Sequence, residues 1–81
     1  MTDVTLYGRP GCHLCDEARD AVAAAGRERD FSLEEVDISL DARLERRYGK
    51  RIPVVAIDGE EALELRFVAE ELVRQLDRVG A

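Results

Sequence analysis

Apolar and polar side chains alternate from Thr2 to Leu6, around Val4 and Leu6, and the alternation stops at Tyr7-Gly8-Arg9-Pro10-Gly11. This reads as a first strand running into a tight loop. From Leu14 the period changes. Leu14, Ala18, Ala21, Val22 and Ala25 form the stripe of an amphipathic helix, with Gly26 placed to end it. Phe31, Leu33, Val36 and Ile38 mark a second strand, approached through Arg27-Glu28-Arg29-Asp30. Ser39 is placed to cap a short helix reaching Tyr48, with Leu40, Leu44 and Tyr48 on one face and Gly49 at its end. Ile52-Pro53-Val54-Val55-Ala56-Ile57 is a short run rich in β-branched residues, and the Asp58-Gly59 behind it is a strong hairpin signal. An antiparallel return strand over Ala62 to Leu65 is therefore expected. Val68, Leu72, Leu76 and Val79 give a final helix that Gly80 closes, with Glu70 and Arg74 paired four apart on its wet side. The order is β-α-β-α-β-β-α. A βαβ start demands a parallel first pair and a hairpin finish an antiparallel one, so the expected architecture is α/β, a four-stranded mixed sheet covered by three helices.

Eighty-one residues leave room for one domain, residues 1–81, and 46% hydrophobic against 37% charged residues supplies a core without the composition of a disordered chain. Twelve basic against eighteen acidic side chains give a net charge of −6, with the basic residues scattered singly or in pairs. A phosphate-backbone partner wants the opposite balance, so nucleic acid is not expected. No apolar run approaches the roughly 20 residues of a membrane helix. Met1-Thr2-Asp3-Val4 has no basic segment leading into an apolar one, so neither a signal peptide nor a membrane partner is expected, and the cytoplasm is the default.

The only cysteines are Cys12 and Cys15, in Cys12-His13-Leu14-Cys15. As a structural disulfide they would close a loop so short that the unfolded chain is restricted by only roughly 2 kcal/mol. As half of a zinc site they lack the other half: His13 is the sole histidine and lies between them, so a second subunit, a carboxylate or an outside thiol would have to complete it. A redox dithiol needs only two sulfurs at this spacing, and is the reading favoured here.

The attacking species is the thiolate, and a free cysteine is only a few per cent ionised at neutral pH. Cys12 opens a helix, where unpaired backbone N–H groups and the positive end of the dipole favour an anion. The dipole contributes at best about 2 kcal/mol, so a nearby cation is wanted as well. Arg9 is the first choice, with Asp16 and Glu17 directed to solvent; His13 is either a second tuner or a solvated turn residue. Cys15, one turn on and beside Ala18 and Val22, is expected to be shielded, to hold its proton and to act as the resolving thiol. Tyr7 and Tyr48 are read as core or half-core aromatics.

A dithiol at a strand-to-helix junction, with an Ile-Pro leading into a later strand, resembles the thioredoxin fold, and at this length its glutaredoxin-like family. Tyr7-Gly8-Arg9-Pro10-Gly11-Cys12-His13-Leu14-Cys15 is similar to that family's active loop, with Arg9 in the place usually held by lysine. Ile52-Pro53-Val54-Val55 is similar to its second signature, in which the proline is cis and lies beside the dithiol. The resemblance implies a thiol–disulfide oxidoreductase with Cys12 as nucleophile and Cys15 as resolving thiol. Arg9, Pro10, Gly11, His13, Leu14, Ile52 and Pro53 would line or support the site, and the Ile52 backbone would stay free for an extended substrate. No cofactor or metal is required. The implied substrates are disulfide-bearing proteins or small molecules, met by a monomer. Family members that bind glutathione carry a Gly-Gly pair and an Asp before the last helix, where this chain has Leu63-Glu64-Leu65-Arg66. The family's usual Pro-Tyr is His13-Leu14 here, and Arg51 replaces a common threonine. The electron donor is thus left between glutathione, as a co-substrate, and a thioredoxin reductase. Two other classes stay open: a redox-silent binding module on the same fold, and metal or iron–sulfur handling by a dimer sharing Cys12.

Overall fold

The computed structural model describes residues 1–80. Its elements are β1 (Asp3–Gly8), α1 (His13–Gly26), β2 (Ser32–Asp37), a 3₁₀ turn (Ile38–Leu40), α2 (Ala42–Tyr48), β3 (Val54–Ile57), β4 (Glu60–Glu64) and α3 (Ala69–Gly80). The strands form one sheet in the order β2-β1-β3-β4. β1 and β2, joined through α1, run parallel, while β1–β3 and β3–β4 are antiparallel. This is the mixed, four-stranded, three-helix architecture expected from the pattern. Among the described residues no helix is long and apolar enough to cross a membrane.

Side-chain alternation on β1 and β3 divides the core in two. Val4, Leu6, Val55 and Ile57 meet Ala18, Val22 and Ala25 of α1, Phe67, and Leu72 and Leu76 of α3. Tyr7 and Val54 join a second cluster with Ile38, Leu44, Tyr48 and Ile52, and this cluster also holds Cys12 and Cys15. The dithiol therefore sits where α1 meets the α2 side of the sheet. The two edge strands are acidic: Glu34, Glu35 and Asp37 along β2, and Glu60, Glu61 and Glu64 along β4.

Several boundaries differ from the pattern, each for a local reason. Gly26 is the last helical residue of α1, and Arg27 caps it in an ordinary right-handed conformation (φ −77°), its N–H bonded to Ala24 and Ala25. Phe31 precedes β2 and packs on the core from there, whereas Leu33, on an edge strand, remains exposed. Asp41, not Ser39, caps α2: its carboxylate accepts from the Arg43 and Leu44 N–H groups at 2.8 and 3.4 Å. Ser39 instead donates its hydroxyl to Asp37 at 2.6 Å, and Leu40, expected inside, is 84% exposed. Ile52 and Pro53 lie outside the β3 ladder. β4 begins earlier than expected because Asp58 and Gly59, both with positive φ (51° and 87°), turn the chain tightly enough for Ile57 to pair with Glu60 at once. A register shift opposite Val55 and Ala56 leaves Ala62 as an extra residue on β4. On α3 only Leu72 and Leu76 are buried, Val68 and Val79 being exposed. Glu70 and Arg74 form no ion pair among the described residues, and Glu71 is the acid put to use, accepting from the Val68 N–H at 3.1 Å.

Candidate active site

β1 delivers the chain to the site, and Gly11 turns it with a φ of +79°, a conformation glycine adopts without penalty. Cys12 then takes the N-cap position of α1, with extended φ and ψ of −89° and 116°. Its Sγ accepts a hydrogen bond from the Cys15 N–H at 3.3 Å, satisfying one of the helix's orphan donors as a capping serine or aspartate would. Both thiols are free, Cys12 half-buried and Cys15 buried at 1% exposure.

The two sulfurs differ in burial. Burial pushes the Cys15 thiol up to about 11, helped by a hydrogen bond shared with Cys12 and opposed by the Arg9 backbone N–H directed at it. Cys15 is therefore a protonated thiol at neutral pH, as the sequence led us to expect. Burial and then the neighbouring Tyr48 raise the Tyr7 phenol above its ordinary value. The Tyr7 and Tyr48 rings stack with centroids 4.4 Å apart, making the apolar floor beneath the pair.

The other sequence-selected residues are distributed around this centre. Ile52 is buried in the cluster that contains both cysteines, and the Ile52–Pro53 peptide is cis with Pro53 fully buried. Among the described residues the Ile52 peptide groups make no backbone hydrogen bond, although their neighbours do: the Leu65 N–H bonds the carbonyls of Arg51 and Pro53 at 3.3 and 2.8 Å. Arg9 turns its guanidinium to Glu45 of α2, at 3.2 and 3.3 Å, and offers its backbone N–H to Cys15. His13 is 88% exposed and pairs with Glu17 at 3.3 Å. Glu17 also faces Arg66 at 3.9 Å and Asp16 pairs with Arg19 at 2.7 Å; both acids are exposed, directed to solvent as expected, and meet cations there. Pro10 is exposed and Leu14 half-buried.

The family model of the glutaredoxin-like domain (DUF836) matches residues 3–77. The chain belongs to the glutaredoxin-like family. A crystal structure of protein XcR50 from X. campestris is 45% identical, with a TM-score of 0.79 over 93% of this chain and 96% of that one. The Mycobacterium tuberculosis protein Rv0508 is 32% identical over 63 residues, 72% of this chain and 65% of its own length, so the match spans just under two thirds of that relative. Thioredoxin 1 from Thermosipho africanus, at 15% identity, has a TM-score of 0.68 over 95% of this chain and 92% of its own, and shows the thioredoxin fold.

Within this glutaredoxin-like chain two further residues shape the site. The first is Gly8: a Cβ built there would lie 2.9 Å from Cys15 Sγ, so the missing side chain is what lets the buried sulfur lie against β1. Its signal was present, since Gly8 continues the inward positions Val4 and Leu6. The second is Glu45, which ties the loop before Cys12 to α2 and could not be found without the fold. Gly8, Arg9, Pro10 and Cys15 also border a pocket of about 190 Å³ together with Arg19 and Glu35. Among the described residues, no three His, Cys, Asp or Glu side chains are grouped to hold a metal ion.

Proposed function

We propose that this protein is a thiol–disulfide oxidoreductase in which Cys12 attacks and Cys15 resolves. The observation that carries the reading is the asymmetry of the pair: Cys12 is half-exposed and receives an N–H donor at a helix start, whereas Cys15 is buried and protonated. The nucleophile must be reached by the substrate, and Cys12 is the accessible sulfur of the pair. The Cys12 thiolate forms a bond to one sulfur of a substrate disulfide, and the other leaves as a thiolate that takes up a proton. Cys15 then gives up its proton and bonds to Cys12 Sγ, expelling the second substrate sulfur. Two electrons pass from the dithiol to the substrate, and the Cys12–Cys15 disulfide is returned to the dithiol by glutathione or by a thioredoxin-reductase-class donor. The unpaired Ile52 peptide, flanking the cysteines, supports a substrate bound as a short extended segment.

The test is reduction of a small disulfide by wild type, Cys12→Ser and Cys15→Ser, with each donor in turn. The expected result is loss of activity in Cys12→Ser and a mixed disulfide, seen by mass spectrometry, that persists on Cys15→Ser. Equal activity in all three proteins would reject the reading.

A further inference from the structure

In the folded chain the basic residues are less scattered than their sequence positions suggest. Arg43, Arg46, Arg47 and Lys50 recur at i, i+3, i+4 and i+7 and are all exposed, so they share the outer face of α2 and of the turn that prolongs it. The inner face of the same helix presents Leu44 and Tyr48 to the cluster that contains Cys12, Cys15 and Ile52. Arg51 follows directly, and the Arg47 and Arg51 guanidiniums both lie over the Tyr48 ring, at 5.3 and 5.4 Å. Residues 42–51 thus carry five cations and one carboxylate, Glu45, in a chain whose net charge is −6.

Helix stability accounts for only part of this stripe: the dipole welcomes Arg46 and Arg47 in the last turn, but Arg43 stands in the first, and like charges one turn apart disfavour a helix. Internal pairing accounts for only two of the five: Arg47 meets Glu61 at 3.4 Å and Arg51 meets the same carboxylate at 2.6 Å, while among the described residues Arg43, Arg46 and Lys50 form no ion pair.

The geometry points to this face of α2 as a docking surface for an acidic protein segment that presents its disulfide to Cys12. The inference rests on the redox reading above. Charge complementarity selects the partner: a positive strip on the helix whose inner face packs on the cysteine cluster, on an otherwise negative molecule, steers and orients an acidic surface and repels a basic one. A nucleic acid fits less well, because it would meet the surrounding negative charge and offers no disulfide to the dithiol.

Two synthetic peptides test this, each with one disulfide, flanked in one by glutamates and in the other by lysines. In about 20 mM salt, kcat/KM should favour the acidic peptide by about tenfold or more, and the preference should shrink to within about twofold in about 500 mM salt, where charges are screened. The double variant Arg43→Glu, Arg46→Glu should reverse the preference while reducing a small uncharged disulfide at the wild-type rate. Anisotropy of the labelled peptides with Cys12→Ser protein reads docking apart from chemistry. A wild type that fails on the small disulfide overturns the redox reading, and one that reduces it yet treats and binds both peptides alike overturns the docking surface. Sedimentation at low salt showing a dimer that the double variant abolishes, or duplex DNA binding tighter than the acidic peptide, would also overturn it.

Discussion

Replacing Gly8 with alanine isolates the contact that seats the buried thiol of Cys15. The added Cβ would stand 2.9 Å from Cys15 Sγ and 3.4 Å from Cys15 Cβ. The second distance is ordinary van der Waals contact and the first is not, so the sulfur must move. Cys15 is 1% exposed on a helix, where one of its three χ1 rotamers already clashes with the preceding turn, leaving little choice of direction. Overpacking of this kind costs about 1–3 kcal/mol, offset by the roughly 0.4–1 kcal/mol that alanine gains over glycine by restricting the unfolded chain. A net loss of about 1–2 kcal/mol in a domain this small corresponds to a midpoint lowered by about 4–16 °C. The assay is denaturant or thermal unfolding of the reduced protein, run as a cycle with Cys15→Ala. Removing the sulfur leaves only the 3.4 Å contact, so in that background Gly8→Ala should be neutral or slightly stabilising. An equal loss in both backgrounds would refute the reasoning, since the clash would then lie somewhere other than the sulfur.

Two further outcomes follow from the described contacts. Because the Cys15 thiol is pushed up to about 11, the folded protein holds that proton through a pH range in which the unfolded chain releases it. The stabilisation is complete below about pH 8.5 and disappears as pH rises toward 11; unfolding of the reduced wild type should therefore lose roughly 1–3 kcal/mol across that window, and Cys15→Ser should lose less. At α2, Asp41→Ala should cost about 1 kcal/mol by circular dichroism melts, whereas Ser39→Ala should leave the helix intact; the reverse ranking would restore Ser39 as the cap.

Periodicity made most of the fold legible. The Val4–Leu6 alternation, the Leu14–Ala25 stripe and the Asp58-Gly59 turn each encode a local preference that the packing obeys. It failed where two short polar residues competed for one helix start: Ser39 and Asp41 are both good caps, and the choice was made by Asp37, which engages the serine hydroxyl. It failed again at Leu33 and Leu40, apolar residues on an edge strand and a surface turn, because a sequence does not say which faces remain uncovered. At the site, the burial of Cys15 could be read from its place beside Ala18 and Val22. The partner of Arg9 could not: Glu45 lies 36 residues away and reaches it only after the sheet has ordered the helices around it.

The acidic character of β2 and β4 has a consequence for the protein at high concentration. Each outermost strand leaves half of its peptide groups unclaimed, which invites a neighbouring molecule to continue the sheet and seed a fibril. Here any such neighbour would have to bring carboxylate against carboxylate at Glu34 on one border, where Glu35 is already engaged by Arg19, or at Glu60 on the other, where Arg47 and Arg51 engage Glu61 and the irregularity at Ala62 spoils the register. Like-charge repulsion thus guards both borders, and the sheet keeps its width of four strands as the solution is concentrated.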